Sequence, residues 1–237
     1  MSFDLILIDG HVMTGTNDIP TLMDIGIKDG KIVSIGKLKN ELSLKTVDCS
    51  NLVILPGVID TQVHFRDPGL THKEDIESGS KSAVLGGVTA FCEMPNTQPL
   101  TISEFELSSK IKKSEKVSWC DYAFFVGATS KNIPNLDLYE KLPGCAGVKI
   151  FMGSSTGELL VHDDETLLKI MEHGSRRVAV HAEDEERLKD RFKFYNKYND
   201  ARYHPIWRDP KSALLATKRI MDIANQANRP LHILHIS

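Results

Sequence analysis

The chain has 237 residues, a formal net charge of −3 and 41% hydrophobic residues. This hydrophobic content can fill a core, and the small, evenly spread charge argues against a nucleic-acid-binding or membrane-surface protein. No apolar run reaches membrane-spanning length and no signal peptide pattern opens the chain, so we expect a cytoplasmic globular protein. The four cysteines lack paired spacing, and we expect them to be reduced thiols.

Residues 1–57 are predicted to form a small β unit. Short strands are expected at 4–9, 25–28, 31–35 and 52–55. Asp29-Gly30 lies between the second and third of these strands and is a strong signal for a tight turn. These two strands should therefore form a hairpin.

From residue 58 onward, short apolar strands alternate with helical patterns. Strands are predicted at 58–65, 89–94, 121–127, 147–152, 177–181 and 231–236, and helices at 74–85, 103–116, 163–173, 184–195 and 211–227. Strands that are apolar on both faces predict a parallel sheet, and polar residues collect at the strand ends, as in a (β/α)8 barrel.

Six strands are too few to close such a barrel, so residues 58–237 are expected to form an incomplete one. Either the chain is a piece of a longer protein, or it leaves two sheet edges open. A doubly wound open sheet is the alternative architecture. It fits less well, because no G-x-G-x-x-G turn follows any strand.

The strand at 58–65 carries a row of polar side chains. Because side chains on a strand alternate between faces, four of them are expected to point the same way: Asp60, Gln62, His64 and Arg66. Burying such a row is costly unless a metal or a substrate binds it. A strand with one solvated face is the alternative. The guanidinium of Arg66, which suits planar carboxylates, favours a binding site.

Lys149 lies in a strand whose neighbouring residues are all apolar. Desolvation favours the neutral amine of a buried lysine, and that amine can take up carbon dioxide to become a carbamate. The two oxygen atoms of the carbamate could bridge two divalent cations roughly 3.5–4 Å apart. A lysine that extends to the barrel end or pairs with a carboxylate is the alternative.

Two more histidines, His181 and His235, end strands as His64 does. Neutral imidazoles at strand tips are good zinc ligands, and separate barrel strands can converge on one ion. His232 and His235 have opposite parity, so only one should face the interior, and the tip position favours His235. Each histidine alone is more often a hydrogen-bonded core residue. Asn96, in the loop after the strand at 89–94, is a candidate partner for a substrate carboxylate or amide, although Pro-Asn-Thr is also common loop chemistry.

Taken together, these motifs resemble the amidohydrolase superfamily, and within it the cyclic amidohydrolase branch of dihydroorotases, allantoinases and dihydropyrimidinases. The resemblance extends over essentially the whole chain and is densest at 56–69, 72–75, 86–89, 94–97, 148–152, 180–183 and 232–237. The class I dihydroorotase family is the most similar, because Arg66 and Asn96 lie where that family binds the substrate carboxylate. The family's small β domain is built from both chain ends, so residues 1–57 would be its N-terminal share and residues 58–237 a partial barrel.

The resemblance implies a zinc-dependent, reversible hydrolysis of (S)-dihydroorotate to N-carbamoyl-L-aspartate in de novo pyrimidine biosynthesis. Lys149 would be a carboxylated lysine in a centre of one or two zinc ions, with His64, His181 and His235 as metal ligands. The partners expected are a small-molecule substrate and further copies of the chain. Aspartate transcarbamoylase is a candidate protein partner, because some family members assemble with it.

Two departures from the family pattern limit this expectation. The first barrel strand of the family carries His-x-His, whereas this chain has Gln62 at the first position, and an amide binds zinc less well than imidazole. An Asp of the eighth strand, a metal ligand and proton shuttle in the family, would lie beyond Ser237, so no catalytic residue is assigned. We therefore expect the 237-residue chain alone to be inactive or nearly so. The alternatives are an allantoinase-type or dihydropyrimidinase-type cyclic amidohydrolase, and a catalytically inactive, dihydroorotase-like assembly partner.

Overall fold

The structure is a computed structural model that describes residues 2–15, 19–153, 157–198 and 200–236. The chain divides into two compact units, Met1–Val58 and Ile59–Ser237. Within the described residues, no helix combines the length and the apolar character that crossing a membrane requires.

The first unit is a five-stranded sheet in the order β3-β2-β1-β4, with β5 also paired to β1. Its strands are β1 (Phe3–Val12), β2 (Thr21–Lys28), β3 (Lys31–Gly36), β4 (Ser43–Asp48) and β5 (Val53–Ile54). The predicted hairpin is confirmed, because β2 and β3 are antiparallel around Asp29 and Gly30. Both turn residues have positive φ, +49° and +69°, which is the conformation of a two-residue type I′ turn.

The strand β4 was not predicted from the sequence. It pairs in parallel with β1, but it has no buried residue, and Leu44 within it is 83% exposed. A strand without a buried apolar face lacks the alternation on which the prediction depends. The small core of this unit instead comes from Phe3, Ile6 and Leu38.

The second unit is a sheet of six parallel strands that lie side by side in the order of the sequence. Its strands are β6 (Val58–Val63), β7 (Val88–Glu93), β8 (Asp121–Gly127), β9 (Cys145–Phe151), β10 (Val178–His181) and β11 (Leu231–Ile233). The helices are α1 (Ile76–Leu85), α2 (Glu104–Val117), α3 (Leu136–Tyr139), α4 (Asp164–Glu172), α5 (Glu185–Tyr198), α6 (His204–Trp207) and α7 (Pro210–Gln226). The predicted alternation of strand and helix is confirmed.

Helix starts follow from capping side chains. Asp163 accepts a hydrogen bond from the backbone N–H of Thr166 and begins α4. Asp209 accepts a hydrogen bond from the backbone N–H of Ser212 at the start of α7. Pro210 occupies the first turn, where its missing N–H removes no hydrogen bond of the helix. These caps fix the directions in which the helices leave the sheet.

The six-stranded sheet is curled into a half-barrel with two cores. The outer core lies between the strands and the helices, as for Phe91 and Leu107 or for Ile150 and Ile220. An inner cluster contains Met94, Phe125, Ala179 and Leu234. Since Met94 follows β7 and Leu234 follows β11, strands from opposite parts of the sheet contact one cluster, which requires a curved sheet.

The strand β6 differs from the prediction of a buried strand at 58–65. Val58 and Ile59 are 52% and 61% exposed, and the strand ends at Val63. The reason is its place at one edge of the sheet, where β7 is its only neighbour in the strand order. The strand β11 at the other edge is also shorter than predicted and ends at Ile233.

A buried ion pair joins the sheet to the helix layer near the end of β7. The Glu93 carboxylate is 2.6 Å from the Lys110 ammonium of α2, and the two side chains are 0% and 2% exposed. Burial raises the pKa of Glu93 and lowers that of Lys110, while their mutual attraction opposes both shifts. Nearby, the Asp67 carboxylate pairs with Lys113 of the same helix. The end of β7 and the turn that follows β6 are therefore both tied to α2.

We expect the substitution Lys110→Met to lower the free energy of unfolding by about 3–5 kcal/mol, because it leaves the Glu93 carboxylate buried without a partner. The matched control is Lys112→Met, an exposed lysine on the same helix, which should change it by less than about 0.5 kcal/mol. Urea unfolding followed by circular dichroism measures both. Equal losses for the two variants would mean that the pair does not stabilise the fold.

Candidate metal centre

Lys149 lies in β9 on the inner side of the half-barrel, opposite Ala179 of the inner cluster, and is only 1% exposed. Among the described residues its Nζ atom has no hydrogen-bond partner, and it lies 4.4 Å from the centroid of the Phe151 ring. Burial holds the pKa of this amine well below its usual range. The resulting neutral amine is a nucleophile that can take up carbon dioxide.

His181 and His235 lie in contact where β10 and β11 end. The Nδ1 atom of His181 is 2.9 Å from the Nε2 atom of His235, and the ring centroids are 4.7 Å apart. Burial, and then the neighbouring His181, lower the pKa of His235. Two nitrogen ligands of one tetrahedral zinc ion would lie about 3.3 Å apart, given Zn–N bonds of about 2.0–2.1 Å. A small outward shift of the rings would therefore admit a cation.

The strict alternation of side chains fails at the end of β11. His232 lines an interior cavity of about 420 Å³, together with Cys92 and Ala179. His235 nevertheless reaches His181, so the prediction that only one of the two histidines lies on the inner side is wrong. The physical reason is that β11 ends at Ile233 and the backbone of His235 has a φ of +38°, which breaks the alternation.

Glu183 and Arg208 were not identified as site residues from the sequence. Glu183 Oε2 lies 2.6 Å from the Nε2 atom of His181. Arg208 donates from Nε to Glu183 Oε1 at 2.9 Å and from Nη2 to Glu183 Oε2. Burial by itself would raise the pKa of Glu183, but hydrogen bonds from His181 and Arg208 outweigh it and lower the pKa to about 2. Glu183 could have been predicted from the sequence, because it lies two residues after a histidine that ends a strand. No local pattern predicts a role for Arg208.

His64, Arg66 and Asn96 form a second group, where β6 and β7 end. The Nδ1 atom of His64 is 2.9 Å from Asn96 Oδ1, and Arg66 Nη1 lies 3.5 Å from the Asn96 carbonyl oxygen. Burial, and then the positive charge of Arg66, lower the pKa of His64 to about 4. The imidazole of His64 is therefore neutral at physiological pH and has a lone pair to offer.

The two groups and Lys149 lie near one another. The protonated forms of Lys149 and His235 would each lower the pKa of His64, and that of Lys149 would lower the pKa of His235, so these groups lie within electrostatic range of one another. Direct side-chain contacts within the described residues join His181 to His235 and His64 to Asn96. Groups that follow β6, β7 and β11, the last residue of β10 and Lys149 within β9 thus lie in one region toward the carboxyl ends of the strands.

The donor set fits a metal ion in part. In the described ranges, no three His, Cys, Asp or Glu side chains lie close enough to hold one ion by themselves. The ring nitrogens of His181 and His235 are nevertheless in contact. The buried amine of Lys149 has no hydrogen-bond partner among the described residues. A carbamate on Lys149 would supply the oxygen ligands that these imidazoles lack. The backbone N–H of Gln62 in β6 donates to Asp60 Oδ1 at 3.0 Å.

Comparisons with known proteins agree on one family. The model of the amidohydrolase family matches residues 53–234. The chain is 35% identical over 234 residues to a dihydroorotase of Pyrococcus abyssi, a match that covers 98% of this chain and 49% of the relative. It is 31% identical over 245 residues to an allantoinase of Deinococcus radiodurans, covering 100% of this chain and 54% of the relative. The chain therefore spans about half the length of the curated relatives that it matches.

Solved structures with a similar fold include an L-hydantoinase (dihydropyrimidinase) from Arthrobacter aurescens. Its TM-score is 0.87 at 26% identity, and the match covers 99% of this chain and 53% of that chain. A D-hydantoinase structure matches with a TM-score of 0.82 at 27% identity, covering 99% and 52%. The expected incomplete (β/α)8 barrel is confirmed.

We expect the substitution Arg66→Gln to raise the pKa of His64 above its value of about 4, because removing a nearby positive charge favours the imidazolium form. The rise should be partial, since burial remains. A titration of the histidine ring protons by NMR measures it. The control is Arg177→Gln, an exposed arginine at the opposite end of the sheet. If His64 titrates alike in the wild type and in Arg66→Gln, the two side chains are not neighbours in solution.

Proposed function

The chain belongs to the amidohydrolase family, and from that premise we propose that the complete protein hydrolyses the ring amide of dihydroorotate. The observation that carries the proposal is the grouping of Arg66, Asn96 and His64 at one rim of the half-barrel. Dihydroorotate carries a free carboxylate, which a guanidinium can bind through two charge-assisted hydrogen bonds. Allantoin and dihydrouracil have no such group, so Arg66 favours dihydroorotate over these two cyclic amides.

Zinc is the cofactor that we propose for this site. The residues that would hold it are His64, Lys149 in its carboxylated form, His181 and His235. A zinc ion bound there would polarise the ring carbonyl and lower the pKa of a water molecule. Because Gln62 offers an amide in place of an imidazole, we infer that one of two metal positions binds its ion weakly.

The protein's own side chains would orient the substrate. Arg66 would anchor the carboxylate, and the Asn96 amide would hydrogen-bond a polar group of the ring. The contact between Asn96 Oδ1 and His64 Nδ1 would hold the His64 ring in place and leave its other nitrogen available. This arrangement would hold the scissile amide in a fixed orientation relative to the metal ligands. Such orientation lowers the activation barrier of the reaction.

A second candidate function is favoured by Gln62. A catalytically inactive dihydroorotase-like protein would act as an assembly partner, in a homo-oligomer or with aspartate transcarbamoylase. Such a protein would have no need of a complete metal centre, and a neutral amide at a ligand position agrees with that. Stoichiometric zinc in the purified protein would argue against this candidate.

A panel of three substrates tests the proposal: dihydroorotate, allantoin and dihydrouracil. We expect the 237-residue chain alone to turn over none of them at rates typical of enzymes. A chimaera in which the C-terminal half of the Pyrococcus abyssi relative follows the chain would supply the remaining strands. With zinc, the chimaera should hydrolyse dihydroorotate in preference to the other two. A preference for allantoin or dihydrouracil would refute the substrate, and a folded chimaera without zinc would favour the assembly partner.

In the same chimaera, Arg66→Gln should raise the KM for dihydroorotate by about 10–100-fold. This range corresponds to the roughly 1.5–3 kcal/mol of a hydrogen bond to a charged group. Steady-state kinetics measure it, with Arg177→Gln as the control. A KM that does not change would remove Arg66 from the substrate site.

The carboxylation of Lys149 can be tested on the chain itself. In the presence of zinc and bicarbonate, native mass spectrometry of the wild type should show the added mass of one carbon dioxide molecule. Lys149→Met should lose this addition and be at least as stable to urea, because the substitution removes a desolvated amine from an apolar interior. If the variant keeps the added mass, the carbamate lies on another amine.

A further inference from the structure

The two ring nitrogens of His181 have different partners. Nε2 lies 2.6 Å from a carboxylate oxygen of Glu183 and, at the longer distance of 3.5 Å, near Arg208 Nη2, whereas Nδ1 lies 2.9 Å from the Nε2 atom of His235. A neutral imidazole carries one proton on one of these nitrogens. The partner on each side therefore determines which nitrogen is the donor and which keeps a lone pair.

The Glu183 carboxylate selects the tautomer. An ionised carboxylate can only accept hydrogen bonds, so the hydrogen bond to Glu183 requires the proton of His181 to be on Nε2. The lone pair is then on Nδ1 and points toward His235. In the absence of a cation, the Nε2–H group of His235 can donate to that lone pair. A bound cation would take the place of this proton between the two rings.

Arg208 holds the Glu183 carboxylate in its plane. Its Nε and Nη2 groups donate to the two oxygen atoms of Glu183, which is the paired geometry that best fixes a carboxylate. The Glu183 and Arg208 side chains are 13% and 25% exposed, so water competes little for these contacts. Both oxygen atoms of the carboxylate thus accept hydrogen bonds from Arg208, and Oε2 faces the Nε2 atom of His181.

The position of Arg208 is set by the short helix α6, which it follows directly. The indole Nε1 of Trp207 donates to the backbone oxygen of Leu188 in α5 at 2.8 Å. Arg191 of α5 donates to the backbone oxygen of Ile206 from Nε at 2.9 Å. These contacts attach α6 to α5 and so direct Arg208 toward the end of β10.

We propose that Glu183 and Arg208 are positioning residues that fix the Nε2–H tautomer of His181 and so direct its Nδ1 lone pair toward the metal ion. The inference rests on the metal centre of the proposed function and adds two residues outside the ligand set. A carboxylate behind a metal-binding histidine orients the ring and raises its basicity as a ligand.

Zinc affinity tests the inference without any substrate. Competition with a chromophoric chelator should show about 10–100-fold weaker zinc binding in Glu183→Gln and in Arg208→Gln than in the wild type. The matched control is Arg187→Gln, which removes the arginine of another carboxylate pair, between α5 and Asp209. Arg187 is 24% exposed, close to the 25% of Arg208. The control should bind zinc as the wild type does.

The tautomer of the His181 ring is a second measurement. A purely structural role of Glu183 and Arg208 would not determine it. In the metal-free wild-type chain, the ring nitrogen shifts of His181 should show a protonated Nε2 and an unprotonated Nδ1. Observing the opposite tautomer would overturn the inference even if the variants fail to fold. Zinc binding that is insensitive to both substitutions would overturn it and leave the proposed function standing. A wild-type chain that binds no zinc would overturn both.

Discussion

The site depends on one unfavourable feature of the fold, an amine buried in apolar surroundings with no hydrogen-bond partner among the described residues. Desolvation of an ammonium ion costs several kcal/mol even after the protein relaxes, so burial holds the pKa of Lys149 well below its usual range and favours the neutral form. The strands β8 and β10 flank it on both sides, and its 1% exposure leaves no route for the side chain to extend into solvent. A reactive neutral amine in the middle of the sheet is the direct result.

The curl of the sheet determines what surrounds that amine. In a flat sheet, the residues that follow β6 and β11 would be separated by the width of four intervening strands. In the half-barrel they are near enough for His235 to influence the pKa of His64. The edge at β6 and β7 offers a guanidinium and an amide, while the edge at β10 and β11 offers two imidazoles. The fold thus combines groups suited to an anionic small molecule with groups suited to a cation.

Local sequence patterns predicted the repeating elements, and they failed where the decisive contacts are distant in sequence. The strand end at His181 and the burial of Lys149 follow from periodicity and end signals, whereas β6 ends at Val63, one residue before His64. Glu183 and Arg208 are 25 residues apart in the sequence, so no local pattern predicts their contact. Lys110 resembles the exposed lysines of its helix in sequence, and only the packing of the helix on the sheet buries it. Exposure of β6 likewise depends on the strand order, which no single segment specifies.

The strand order also bears on how the half-barrel is assembled. Each of its strands pairs with the strands before and after it in the sequence, so a chain leaving the ribosome can add one strand and helix at a time. Because the strands are parallel, each pairing closes a crossover connection, and loop closure of this kind slows folding. Since β11 follows β10 in the sequence and pairs with it, the contact between His181 and His235 forms only once both strands are in place.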